Sequence, residues 1–317
     1  MTEPDANPPI RLIGRHMRQV LCDTVLDWKR VFGGNLNLGA VVLAVWVANV
    51  EYSLKDPELL RSSRRDGLPF DRFKPIIASH IATTSGFDDE TTRRYLMSVV
   101  EAGFLERSDA GYVLSTAFRE SKDCEDLISL SASRTLDLFR YFEQFEAVHD
   151  YIRSLNSQYD FLTDKDLVPA RHDIRHGLHL LFIRFLSKFT IEGYLVIDSS
   201  KVMSFIGLAV LIENVRALNT DPVLSLQYAN FMPVPPDSVR APVSLRRLAL
   251  VLDMPLETVR RYVAQLEQVG FVTNTGKGYM VPGETLMFYD MSLAQAAAVA
   301  RLGAEITQML SDLDPAG

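Results

Sequence analysis

Cysteine is nearly absent from this chain: among 317 residues only Cys22 and Cys124 are cysteine. They lie far apart, with neither metal-binding nor redox spacing, which excludes a disulfide framework and suits a reducing cytoplasm. Glycine-rich phosphate loops, H-E-x-x-H and G-x-S-x-G are all missing, and with them the common signatures of nucleotide, zinc-dependent and acyl-transfer chemistry. Carboxylate pairs such as Asp88-Asp89 suit helix caps and first-turn charges better than acid–base work. No enzyme and no cofactor is therefore expected. Long apolar runs are missing too. The most apolar stretch, residues 36–50, is interrupted by Asn37 and Asn49 and falls short of the ~20 residues of a membrane helix. It predicts a core helix and no membrane partner. The opening MTEPDANPP is acidic and proline-rich and lacks a signal-peptide pattern, so a cytoplasmic, bacterial protein is expected. Positive charge is also scarce: a net −7 excludes a general nucleic-acid coat but leaves room for a local basic footprint.

What the chain does have is a globular composition, 47% hydrophobic and 23% charged, at a length beyond one hydrophobic core. It also has an internal repeat. Shifted by 167, residues 76–115 align without a gap on 243–282, most clearly where Glu90-Thr-Thr-Arg-Arg-Tyr and Gly103-Phe104 meet Glu257-Thr-Val-Arg-Arg-Tyr and Gly270-Phe271. Gly111-Tyr112 falls on Gly278-Tyr279. At slightly different offsets Asn49-Val50 and Asp56-Pro57 match Asn214-Val215 and Asp221-Pro222, and more weakly Arg15-His16 matches Arg175-His176. The chain is thus one unit written twice, with domains expected at 1–165 and 166–317.

In the second copy, Ser244 can cap a short helix, Met254-Pro255 ends it, and Val259, Tyr262, Val263 and Leu266 form one apolar stripe on the next. Gly270 supplies a left-handed stop, and residues 271–281 have the pattern of a tight hairpin. Each half carries further helices before and after: about 10–32, 36–54 and 125–156 in the first, about 171–190, 200–219 and 291–313 in the second. Both second helices are expected to stop at Asp-Pro. The expected fold class is mainly α, with two small β-hairpins in a duplicated helical unit.

Leu248-Ala249, Thr258-Val259-Arg260-Arg261, Leu266, Gly270-Phe271 and Gly278-Tyr279 resemble the winged helix-turn-helix modules of the MarR, GntR and IclR regulator families. The flanking helices are most similar in order to the MarR arrangement. The resemblance implies two winged helix-turn-helix modules, at about 73–115 and 240–283, and double-stranded DNA as the partner. It places the reader helix at 257–268 and the wing at 274–277. Arginine and glutamine suit base edges and threonine suits phosphate. The expected DNA-binding residues are therefore Thr258, Arg260, Arg261 and Gln265, with Arg246, Arg247 and Lys277 for phosphate, and Thr91, Arg93 and Arg94 in the first copy. Residues 243–282 hold five Lys/Arg against three Asp/Glu, whereas 76–115 hold three against six. The first copy is thus a poorer match to a polyanion, and docking of a protein partner is its alternative.

A sequence-specific transcriptional regulator is the expected function, acting as a single-chain pseudo-dimer; the aromatic-rich helices leave open a small-molecule effector between them, plain core being the commoner use of such stripes, and further oligomers are also left open. Two alternatives are a chromosome-organisation type of tandem winged-helix docking protein and a plasmid-type replication initiator. His172, His176 and His179 share one helical face, a spacing that a metal ion could use and that metal-free histidines adopt more often; no metal site is expected.

Overall fold

The computed structural model describes residues 7–85, 87–160, 162, 164–191, 200–287 and 289–311. In chain order the helices and strands are α1 (Ile10–Val31), α2 (Leu36–Leu54), α3 (Pro57–Ser62), α4 (Ala78–Ser85), α5 (Asp89–Glu101), β1 (Leu105–Ser108), β2 (Gly111–Leu114), α6 (Thr116–Arg119), α7 (Lys122–Phe142) and α8 (Glu146–Leu155). There follow α9 (Asp164–Ile191), α10 (Lys201–Asn214), α11 (Arg216–Thr220), α12 (Pro222–Gln227), α13 (Leu245–Leu252), α14 (Leu256–Gln268), β3 (Thr273–Asn274), β4 (Tyr279–Met280) and α15 (Tyr289–Ser311). Among the described residues the protein is mainly helical, with two antiparallel two-stranded sheets, β1–β2 and β3–β4.

Several boundaries differ from the sequence expectation for local reasons. The Asp-Pro steps end α2 and α11, but they also start helices: Asp56 Oδ1 accepts the Glu58 and Leu59 amides, Asp221 Oδ1 accepts those of Val223 and Leu224, and each proline occupies the first helical turn. The helix expected over 125–156 is two helices, α7 and α8, because Phe145 is extended. That expected over 200–219 breaks at Val215 into α10 and α11. At 19 residues α2 is long and apolar enough to cross a membrane, yet most of it is buried in protein.

The compact units are not the two contiguous halves. One unit comprises Asp27–Arg140, Leu162–Tyr194 and Leu302–Gly317, and contains the first repeated block. The other comprises Met1–Leu26, Tyr141–Phe161 and Leu195–Arg301, and contains the second. The first-block unit thus takes α9 from the second half of the sequence, and the second-block unit takes α1 as far as Leu26, together with α8, from the first half. In the first-block unit, α9 packs on α2, with His179 against Trp46 at 4.6 Å between ring centroids. The core continues through Trp28, Phe32, Phe104 and Phe118. In the second-block unit, the buried guanidinium of Arg15 donates to the carbonyls of Ser225 and Tyr228, and Arg11 donates to those of Phe231 and Leu286. Arg15 so satisfies carbonyls that the end of α12 leaves without helical partners.

One backbone bond recurs in both units: Leu12 N donates to Ala229 O, and Gly177 N donates to Arg64 O, each at 3.0 Å. The two bonds are related by 165 residues, the offset that also relates Asn49 to Asn214. The weak match of Arg15-His16 to Arg175-His176 has a different offset, so those pairs do not occupy equivalent places.

A second recurrence fixes the blocks themselves. Asn214, 1% exposed at the end of α10, donates through Nδ2 to Ala241 O (2.8 Å) and Tyr279 O (3.0 Å), and its Oδ1 accepts Val281 N (2.9 Å). Asn49, fully buried on α2, does the same with Lys74 O (2.8 Å), Tyr112 O (3.1 Å) and Leu114 N (3.0 Å). Val243 bridges Tyr279, and Ile76 bridges Tyr112, which adds a third chain segment to each hairpin. That approach explains the repeated Gly-Tyr. A Cβ on Gly278 would lie 2.7 Å from Val243 O, and one on Gly111 2.4 Å from Ile76 O.

Asn214→Ala is expected to cost about 1–3 kcal/mol, because it leaves buried carbonyl and amide groups without partners. Urea unfolding checks the magnitude, and hydrogen exchange of the Val281 amide should accelerate more than that of α9. An unchanged midpoint would refute the role assigned to Asn214.

Candidate nucleic-acid interface

In the second block, Ser244 caps α13 by accepting the Arg247 amide at 3.2 Å, and Asp253 ends the helix in a left-handed conformation. Helix α14 packs on α10 and α13 through Val259, Val263 and Leu266, all 0% exposed, while Tyr262 is half-buried. The predicted stripe is thus the buried face. Gly270 follows at φ 73, and the hairpin turn is set by Gly276 at φ 79 and by Asn274 Oδ1, which accepts the Gly276 amide.

The opposite face of α14 presents Glu257, Arg260, Arg261, Ala264, Gln265 and Gln268 to solvent; Thr258 is half-buried at its flank. Arg260 Nη1 donates to Glu257 Oε1 at 2.6 Å, and the Arg261 guanidinium lies 4.9 Å from the Tyr262 ring centroid. Both members of the Arg260–Glu257 pair are exposed, so its hold is weak and a phosphate can compete for the arginine. Arg246 on α13 and Lys277 in the hairpin turn are exposed, with no carboxylate partner among the described residues. Arg247 differs. Its fork donates to both oxygens of Glu213, at 2.9 and 3.2 Å, and Glu213 is only 12% exposed. The hydrogen-bonded carboxylate holds the Arg247 guanidinium even more firmly in its charged form. Arg247 is thereby spent within the unit. The structure brings Arg246, Thr258, Arg260, Arg261, Gln265 and Lys277 together in one compact unit.

The first block repeats the path with other chemistry. Asp88 caps α5 by accepting the Thr91 amide at 2.8 Å, which lowers the pKa of its carboxyl. Arg93 and Arg94 are exposed and Thr91 is half-buried. Their helix also shows solvent Glu90, Glu101 and Met97, the last 61% exposed. Its apolar anchors, Leu96 and Val99, are fully buried like their counterparts in α14.

Sequence reasoning missed Asn49 and Asn214 as clamps, although their repetition inside otherwise apolar helices was a signal. It also missed Glu213 as the partner of Arg247, for which the sequence holds no clue. Among the described residues no group of metal-ligating side chains forms. The His172 side chain lies outside the described ones; His176 packs on Gly67, and His179 is buried with neither ring nitrogen bonded. Burial pushes His179 down to about 3 and, in the other unit, His149 down to about 4. Each stays neutral in the folded protein. As pH falls below the ordinary histidine range the unfolded chain takes up protons that the folded one refuses, and stability is lost down to these values. His179→Leu should flatten the loss between pH 6 and 4 by roughly 1.4 kcal/mol per pH unit at most. Urea midpoints across that range measure it, and a slope equal to wild type would contradict the assignment.

Comparison with protein-family models, with curated proteins and with solved structures gives no match for this chain.

Proposed function

We propose that each repeated block is a winged helix-turn-helix and that the chain is a cytoplasmic regulator of transcription that binds duplex DNA, without enzymatic activity. The observation that carries the reading is the solvent face of α14, where Arg260, Arg261 and Gln265 stand clear of the buried stripe while Arg246 and Lys277 remain uncommitted on the neighbouring helix and turn. Arginine and glutamine are the side chains that pair in bidentate fashion with guanine and adenine edges. Exposed arginine and lysine supply the salt-sensitive phosphate term. Arg247, tied to Glu213, leaves this set and becomes a support for α13.

The exchange of long helices supports a single-chain pseudo-dimer. Helix α9, from the second half, packs on the first block, and α1, from the first half, holds the segment around Ser225 to Phe231 in the second. Half-sites on such a duplex would be unlike, because α5 and α14 present different side chains. A small-molecule effector remains a proposal carried only by the aromatic-rich helices. For the first block, docking of a protein is a second reading, favoured by Met97 and Ile77, 61% and 58% exposed, beside a surplus of carboxylates.

Arg260→Ala combined with Arg261→Ala should weaken duplex binding by at least about tenfold at moderate salt. Fluorescence anisotropy with duplexes recovered from genomic fragments measures it. A folded double variant that binds as tightly as wild type would exclude α14 as the reader.

A further inference from the structure

A cleft of 530 Å³ in the second-block unit is lined by Glu213, Arg216 and Thr220 on one side, Ser244 and Arg247 on another, and Lys277 from the hairpin turn. Two of its cations are uncommitted: Arg216 and Lys277 are exposed, and neither has a carboxylate partner among the described residues. The one carboxylate of the lining, Glu213, is neutralised by the two hydrogen bonds from Arg247. The cleft therefore carries about two unbalanced positive charges in a protein of net charge −7. The first turn of α13 borders it as well. There Ser244 Oγ takes the Arg247 amide, while the amides before it belong to the helix end that lacks internal partners.

From these groups together we infer that the cleft binds a phosphate group, with Arg216 and Lys277 as its charged arms. Resting on the DNA-binding reading, the phosphate is one of the duplex backbone, gripped beside the groove that α14 enters. A free phosphorylated small molecule has the same chemistry and is the other source.

The sister block shows what the cleft depends on. By the repeat, Arg216, Thr220, Ser244, Arg247 and Lys277 correspond to Glu51, Lys55, Ile77, His80 and Ala110. Glu51 replaces one arm and pairs with Lys55 at 2.8 Å, alanine replaces the other, and Ile77 stands 58% exposed where Ser244 caps its helix. The first block cannot hold a phosphate in this way. Grip on a polyanion is concentrated in the second block.

The test measures duplex affinity against salt for wild type, Arg216→Ala and Lys277→Ala, together with amide chemical shifts of residues 244–247 on addition of inorganic phosphate. Both substituted residues are exposed, so the folded state should persist, as thermal melting would check. Each substitution is expected to weaken duplex binding roughly threefold to tenfold and to reduce the salt slope by about one, with the order of preference among sequences unchanged. Wild-type duplex binding that both variants retain at full affinity and slope overturns the cleft and leaves the α14 reading intact. No duplex binding by wild type, with phosphate shifts that Arg216→Ala abolishes, supports the phosphate site and assigns it to a free ligand, at the expense of the DNA reading. Neither duplex binding nor phosphate shifts overturns both.

Discussion

A single buried amide beside each block, Asn49 on α2 and Asn214 on α10, holds the block in place. An asparagine side chain offers two donor hydrogens and one acceptor, and Asn214 spends all three on the main chain of two separate segments: that before α13 and strand β4 with its continuation. Its own carbonyl also accepts the Ala241 amide. The apolar helix α10, the entry to α13 and the hairpin are thus locked into one body, on which α14 lies with its stripe buried. No other side chain of that size satisfies the same three groups without leaving one unpaired. Asn49 does this for α2, α4 and the β1–β2 hairpin. The requirement explains why a buried polar residue recurs on both of these otherwise apolar helices, inside α2 and at the last residue of α10.

On that constant frame the two blocks have separate surfaces. Buried positions agree closely, Leu96 with Val263 and Val99 with Leu266, whereas exposed ones diverge in charge and polarity. Glu101 stands where Gln268 does, Ala110 where Lys277 does, and Glu51 where Arg216 does. Packing constrains the first class and solvent leaves the second free. A duplicated chain can therefore keep the path of both blocks while giving them surfaces of different charge. The net charge of −7 hides this, since a whole-chain sum averages a basic face with acidic ones.

The local order of each block was legible because its determinants are local: a 3.6-residue stripe, a glycine with positive φ, a serine or aspartate cap. The stripe Val259, Val263 and Leu266 is buried as its spacing requires, and the Gly-Tyr pairs sit where a side chain would strike a carbonyl. What was not legible depends on distant partners. The exchange of α1 and α9 between blocks could not be read from helices that are apolar on wide faces and fit more than one neighbour. Arg247 looked like its neighbours in sequence and differs only because Glu213 lies within reach. The Asp-Pro steps were read as stops alone, although aspartate followed by proline is equally a helix start.

The solvent face of α14 and the turn at residues 274–277 are the surface proposed here to meet DNA. Hydrogen–deuterium exchange of the whole protein, with and without a bound genomic duplex, tests it most directly. Protection gained in peptides covering 256–268 and 273–280, and smaller in those covering 89–101, is the predicted result. Protection confined to other elements, with these peptides exchanging as in the free protein, would contradict it.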